Sequence, residues 1–312
     1  MPYLKNRAVV LVKIEAGGYG VDAAPTAAAN AILCSEPEIE PIVKDIERNH
    51  VRQSFGSKPK LKIGEGYKIS LKTEVMGGGA AGTPPPFGPL LRACGLTETI
   101  NVGVDVDYDP SSDSFNGESV TIWFYRHGKL HKAVGCRGTV PALETKANEL
   151  AMLSFEFTGI YAGPVDAALP VPVYPATIPP GFRSAALTIH GYAAVVESLK
   201  ISDGGAVARR PDANAATGIL EYYISDRMIT GELDPEVTAI ADKDFWAIWQ
   251  AGTQGAFSAA IGSVVGNRCV ISGPKVQLDD LKYADRENLL TYAMPLIFIP
   301  DAGDDEIQFK FN

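Results

Sequence analysis

The residue order predicts a mainly β protein: two tandem copies of one β-sandwich or small-barrel domain, each flanked by one short helix. Three observations carry that expectation. Alternating or β-branched runs recur throughout, as in Tyr67-Lys68-Ile69-Ser70-Leu71-Lys72-Thr73, which has the period of a strand with one wet face. Helical periodicity is confined to two short stretches. Those stretches, and the strands around them, recur in the same order in both halves of the chain.

Taken in order, Ala8 to Ile14 is a short β-branched strand, and Tyr67 to Thr73 is the alternating one. Phe87 to Cys94 places Leu90, Leu91 and Cys94 on one helical face and stops at Gly95. Ser119 to Tyr125 and Leu130 to Cys136 flank Arg126-His127-Gly128-Lys129 as a hairpin that turns on Gly128. Leu150 to Phe157 is a further apolar strand. From Ala162 to Gly181 the chain holds Pro164, Pro170, Pro172, Pro175, Pro179 and Pro180 with almost no charge. Proline at that density reads as a stiff connection outside any sheet. Beyond it, Asp242 to Ala251 repeats the short helix, with Asp242 or Asp244 as its cap, and Trp246 and Trp249 as core residues. Tyr292 to Phe298 is a strand, and Ile307, Phe309 and Phe311 share one face of the last one.

The halves superimpose in sequence. One constant offset sets Leu71 on Ile229, Glu74 on Glu232, Phe87 on Phe245, Leu90 on Ile248 and Leu91 on Trp249. A smaller offset then sets Gly128 on Gly266, Gly135 on Gly273 and Leu143 on Leu281, and a further slip sets Leu153 on Tyr292. The change after the helix marks an insertion in the first copy near Leu96 to Glu118. The expected division is residues 1–163, a first domain with an N-terminal arm; 164–181, the proline-rich linker; and 182–312, a second domain.

Composition narrows the function classes. In 312 residues, 46% are hydrophobic and 21% charged, an ordinary globular balance. Acidic residues outnumber basic ones 37 to 28, for a net charge of −9, which argues against a protein that grips phosphates. It is compatible with a wall past which nucleic acid must slide. Cys34, Cys94, Cys136 and Cys269 are scattered and read as free thiols. The short apolar run near the N-terminus is not a signal peptide, and no stretch has the length of a membrane span, so the expected protein is soluble, made in the cytoplasm and has no membrane partner.

Motifs that resemble chemistry lack their context. Gly77 to Gly82 has the G-x-G-x-x-G spacing, but Thr83-Pro84-Pro85-Pro86 follows where a helix N-terminus must meet a pyrophosphate. It reads as a flexible surface loop. Asp105, Asp107 and Asp109 have calcium-loop spacing, but Pro110 stands where glycine is required and Asn116 where glutamate is. His127 and His131 lie on a hairpin, not on one helix face. No G-x-S-x-G elbow is present. The expectation is no enzyme, no metal and no cofactor.

The most unusual segment is Ile42 to Pro59, with Lys44, Asp45, Glu47, Arg48, His50, Arg52 and Phe55. Mixed charge with apolar punctuation reads as a docking arm whose charges set register across an interface. A comparable excursion, Leu199 to Thr217, carries Asp203, Arg209, Arg210 and Asp212 in the second half.

Three segments resemble the tail tube (major tail) proteins of tailed bacteriophages: Glu15-Ala16-Gly17-Gly18-Tyr19-Gly20-Val21-Asp22-Ala23-Ala24-Pro25-Thr26 with Asn30-Ala31-Ile32; Arg52-Gln53-Ser54-Phe55-Gly56; and Gly77 to Leu96 with its Pro-Pro-Phe-Gly-Pro-Leu-Leu centre. The resemblance implies a tandemly duplicated tube domain. Three chains would form a pseudo-hexameric, homotrimeric ring, and rings would stack into a tube through which double-stranded DNA passes without sequence-specific binding. It further implies a virion tail protein whose partners are itself, a tape measure protein, and tail terminator and distal tail proteins. By the same resemblance the charged arm reaches the neighbouring ring, the N-terminal segment packs between subunits, and the lumen is acidic, with Glu74 and Glu232 as candidates. The alternative is a β-sandwich receptor- or glycan-binding module of a phage tail tip, which would expose a patch of Trp and Tyr.

Overall fold

The computed structural model describes residues 7–312. In the first half the elements are β1 (Ala8–Ile14), β2 (Ala31–Ile32), β3 (Ser35–Glu47), β4 (Lys60–Glu74), α1 (Gly88–Ala93), β5 (Leu96–Asn101), β6 (Asp105–Pro110), β7 (Val120–Arg126), β8 (Lys129–Gly138), β9 (Ala142–Lys146) and β10 (Met152–Asp166). In the second they are β11 (Thr188–Ile189), β12 (Ser198–Asp203), β13 (Ala206–Pro211), β14 (Ile219–Asp226), β15 (Ile229–Leu233), α2 (Phe245–Gln250), β16 (Gly255–Val264), β17 (Asn267–Leu278), β18 (Lys282–Arg286), β19 (Leu289–Ile299) and β20 (Gln308–Phe311). The fold is mainly β and sandwich-like, and its sheets do not close into a barrel.

The two layers arise from a strand switch. Strands β8 and β9 lie one after the other along the same edge of β10: β9 pairs with Met152 to Ser154, and β8 with Phe157 onwards. The chain turns a corner between them, so the sheet splits. One layer is β3–β4–β10–β9, the other β10–β8–β7–β1–β2. The second half repeats this with β17 and β18 along β19. Alternation then sends Ile69, Leu71, Leu153, Phe155 and Phe157 inward, all buried. The β7–β8 turn uses His127 and Gly128, both at positive φ, as a two-residue hairpin that matches strand twist requires. Asp244, not Asp242, caps α2, accepting from the Ala247 N–H at 2.9 Å. Trp246 and Trp249 on α2 are half-buried against the core rather than within it.

The ladders revise the repeat alignment by two residues. Phe157 lies opposite Gly138 and Phe298 opposite Val276, which agrees with the hairpin match of Gly128 to Gly266. Leu71 lies opposite Phe155, and Gly231 opposite Leu296. Leu71 therefore corresponds to Gly231 rather than Ile229, and Lys72 rather than Glu74 corresponds to Glu232. Sequence matching missed this because a shift of two preserves the face of every strand residue.

The halves are continuous. β9 pairs with β12, and β20 pairs with both β17 and β6. Phe311 packs edge-on against Phe87 and Tyr108 of the first half, each at 5.7 Å between ring centroids. The insertion in the first half is the β5–β6 hairpin that receives β20. One buried apolar cluster runs through both halves. Strand β10 extends to Asp166, so Pro164 lies inside a strand, opposite His131 and just past a register shift. A bulge accommodates the missing N–H there.

One further expectation changes. The glycine-rich stretch is not a flexible surface loop. Gly77 is buried, donates its N–H to Asn267 Oδ1 at 2.9 Å, and a Cβ there would stand 2.3 Å from the Gly266 carbonyl oxygen. Only glycine permits that approach between the halves. The N-terminal segment that follows β1 packs on its own chain. Tyr19 Oη donates to the Gly135 carbonyl at 2.7 Å, and buried Glu15 accepts from Ser119, Thr121 and the Gly135 N–H. Residues 1–6 of the expected arm lie outside the described residues. The aspartates of β6 neutralise Lys310, at 3.4 Å from Asp105 and 2.9 Å from Asp107, and the described residues contain no metal-binding cluster.

Candidate assembly surfaces

Layer one of each half joins the other through the β9–β12 ladder. The result is a single antiparallel sheet in the order β3–β4–β10–β9–β12–β15–β19–β18. Its inner face is core. Its outer face is polar: Lys72 lies beside Ser154, Glu144 beside Met152 and Lys200, and Glu232 between Lys200 and Pro295. Two depressions of about 990 and 550 Å³ open on this face, the first lined by Glu38, Lys72 and Glu156, the second by Glu144, Lys200 and Glu232.

Electrostatics on this face are lopsided. Lys68 pairs with Glu156 at 2.7 Å, Lys72 with Glu36 at 2.8 Å, Lys146 with Glu197 at 2.8 Å and Lys200 with Glu144 at 3.8 Å. Lys282 pairs with Asp280. The pair with Lys72 holds the Glu36 carboxyl below its ordinary range. Glu38, Glu40, Glu74 and Glu232 form no ion pair among the described residues. The lysines on the body of the sheet are thus neutralised locally and its surplus charge is negative, while Lys44 and Lys62 on the β3–β4 ribbon form no ion pair among the described residues. Sequence reasoning placed Glu74 and Glu232 together; the structure puts both on this face, on β4 and β15, without bringing them into contact.

The two polar excursions are both hairpins. In the first, β3 and β4 pair as far as Glu47 and Lys60, and residues 48–59 form the tip. Lys44, Asp45 and Glu47 are on the ribbon, while Arg48, His50, Arg52 and Phe55 are in the tip, where Arg52 donates to His50 at 3.0 Å. Val51 and Phe55 are fully exposed, as are large parts of Ile42, Ile46, Leu61 and Ile63. In the second, β13 pairs with β14, and Arg210 meets Glu221 at 2.7 Å. Asp212 sits at the tip, accepting from the Asn214 N–H. Asp203 is not at the tip. It lies at the base, where its carboxylate accepts from the N–H groups of Val140, Gly205 and Met228. The hairpins stand side by side: a Cβ on Gly64 would be 3.0 Å from Arg209, and one on Gly66 2.5 Å from the Tyr222 hydroxyl.

Cys94, Cys136 and Cys269 are buried and their thiols are raised by burial, while half-buried Cys34, beside β3, is pushed up to about 12 by the same cause. Sequence reasoning had no signal for the joined sheet, because β9 and β12 are neighbours only through long-range pairing.

The described chain is thus a mainly β body with one polar sheet face and two hairpins projecting side by side from it. Residues 5–286 match the family model described as phage tail tube protein. The chain belongs to that family and is a structural protein of the bacteriophage virion tail, a subunit that self-assembles into a tube and associates with other tail components. A search of curated proteins found no match to the chain. No described helix is long and apolar enough to cross a membrane.

Proposed function

We propose that three chains close into a pseudo-hexameric ring, that rings stack through the hairpins, and that the polar sheet face lines a channel for double-stranded DNA. The continuity of one sheet through both halves carries this reading. Each half, residues 1–163 and 182–312 about the 164–181 connection, contributes four strands to the sheet in the same order. Two similar units per chain, in a role needing six about an axis, require three chains. The tape measure protein would occupy the channel during assembly, and terminator and distal tail proteins would cap the tube ends.

The surplus carboxylates suit a channel wall. On the body of the sheet, where the lysines are already paired, phosphates gain little counterion release, and Glu74 and Glu232 repel them. The protein then works without catalysis, as a conduit that DNA does not adhere to.

Electron micrographs and mass measurement of the purified chain are expected to show rings or tubes with three chains per ring. Dispersed monomers, with or without a tail initiator complex, would sink the reading. The lumen assignment has its own check. Tubes of the double variant Glu74→Lys and Glu232→Lys should assemble and retain short duplex DNA at low salt, releasing it as salt rises, while wild-type tubes retain none. Equal retention by both would move these residues off the channel.

A further inference from the structure

We propose that Asn116 is a site of spontaneous covalent change: its side chain condenses with the Gly117 amide to a cyclic imide, water reopens the imide to aspartate or isoaspartate, and the product loosens the joint between the halves at Arg137. Asn116 is the one asparagine of the sequence that glycine follows. Glycine carries no side chain to shield its own nitrogen, and it leaves the backbone free to bring that nitrogen onto the preceding carboxamide carbon. Asn116 is exposed, in a turn over residues 114–117 between β6 and β7. The Gly117 N–H donates no hydrogen bond among the described residues, so the nucleophile is available. The carboxamide is held in place, because Nδ2 donates to both carboxylate oxygens of Asp113, at 3.1 and 2.9 Å. A depression of about 300 Å³, lined by Ser114, Asn116, Gly117 and Glu118 among others, adjoins the turn. It leaves room for the ring to close and admits the water that opens it.

The step needs only water. The Gly117 nitrogen bonds to Asn116 Cγ as the Cγ–Nδ2 bond breaks, and the proton of the Gly117 amide leaves with Nδ2 as ammonia. Water then cleaves one of the two bonds that join the imide nitrogen to its carbonyl carbons. Cleavage at Cγ restores the ordinary main chain with aspartate at this position. Cleavage at the main-chain carbonyl carbon leaves the chain running through the side chain, as isoaspartate, and one methylene longer.

This turn is a strap between the halves, which gives the modification its consequence. The Gly117 carbonyl accepts from Arg137 Nη2 at 2.6 Å. One residue before Asn116, the Phe115 ring stacks on Tyr223 of β14 with centroids 5.1 Å apart, and the Arg210 guanidinium of β13 lies 5.7 Å from its centre. Both anchors belong to the joint with the second hairpin. An added methylene between Phe115 and Gly117 cannot leave both of them seated. Either product also places a new carboxylate between Asp113 and Glu118 in the sequence, where like charges repel.

The purified full-length chain, kept folded in mildly alkaline buffer, is followed by peptide mass spectrometry, with isoaspartyl methyltransferase labelling to count isoaspartate. Residue 116 should convert ahead of every other asparagine, and faster as pH rises, because the attacking amide must lose its proton. Gly117→Ala should slow the conversion, and Asn116→Gln, whose longer side chain closes a less favourable ring, should remove it. A urea-unfolded sample is the reference. Conversion there with none in the folded chain would overturn the site, since the turn would then keep Gly117 away from the carboxamide. The joint has its own readout in the urea midpoint. For the wild type it should fall as the converted fraction grows, and for Asn116→Gln it should stay. Arg137→Ala, which has already lost the contact to Gly117, should start lower and fall less. Conversion with an unmoved wild-type midpoint would overturn the coupling to Arg137.

Discussion

Replacing residues 48–59 by an Asn-Gly turn is expected to leave ring formation intact and to abolish growth of rings into tubes. The ladder that ends at Glu47 and Lys60 is already positioned for a two-residue turn, so the cut removes the tip without disturbing the body. An isolated two-stranded ribbon is marginal in water. This one exposes Ile42, Ile46, Leu61 and Ile63 along its length and Val51 and Phe55 at its tip, an apolar surface that a lone subunit has no reason to present. Its charges, among them Lys44, Asp45, Arg48, Arg52 and Lys58, are spaced to select a register on an acceptor. Sedimentation and negative-stain imaging separate the two outcomes: particles that stop at one ring, against tubes of ordinary length. Tubes of ordinary length would mean that the tip is dispensable. The second hairpin is shorter at its tip and ends at the Pro211–Ile219 pair. The same operation there should shorten tubes rather than prevent them.

The order of elements was legible because it is local. Alternation marked β4 around Tyr67 to Thr73, and the Gly128 turn marked the β7–β8 hairpin. Both short helices lay where Leu90, Leu91 and Phe245 placed them. What connects the elements was not legible. No pattern in Ala142 to Lys146 tells that its partner is Ser198 to Asp203 rather than a strand of its own half, since pairing follows from tertiary context. Gly77 read as loose because glycine permits mobility, yet here it permits contact with Gly266. Asp203 read as a docking charge because its segment is polar. Its carboxylate is instead consumed by three backbone N–H groups. Glu74 and Glu232 came out on one face of the joined sheet through an alignment two residues out of register, because the strand period is two.

Arg137→Ala is expected to cost about 3–5 kcal/mol of stability, the range for removing one partner of a buried ion pair. The side chain is 3% exposed and belongs to β8 of the first half, yet most of its partners lie elsewhere. Nη1 donates to the Tyr222 carbonyl at 2.8 Å and lies 3.5 Å from Glu221, both on β14 of the second half. Nη2 donates to the Gly117 carbonyl, at the end of the first-half insertion, at 2.6 Å. Its guanidinium lies 4.9 Å from the centre of the Tyr19 ring, and Tyr19 Oη in turn accepts from the Tyr222 N–H at 2.7 Å. Truncation therefore orphans two carbonyls and leaves Glu221, with a side chain only 12% exposed, to Arg210 alone. Arg137→Lys keeps the charge but loses the planar fork that reaches Tyr222 and Gly117 together, so it should recover only part of the loss. Arg137→Met keeps the volume and should fall between alanine and lysine. Urea unfolding of the three variants orders them. A loss below about 1 kcal/mol for alanine, the range of an exposed pair, would mean that the node is passive. A loss in the expected range is a large part of the roughly 5–15 kcal/mol that holds an ordinary domain folded. The same residue fixes the base of the second hairpin to the first half, so tubes of the alanine variant should also be the shorter ones.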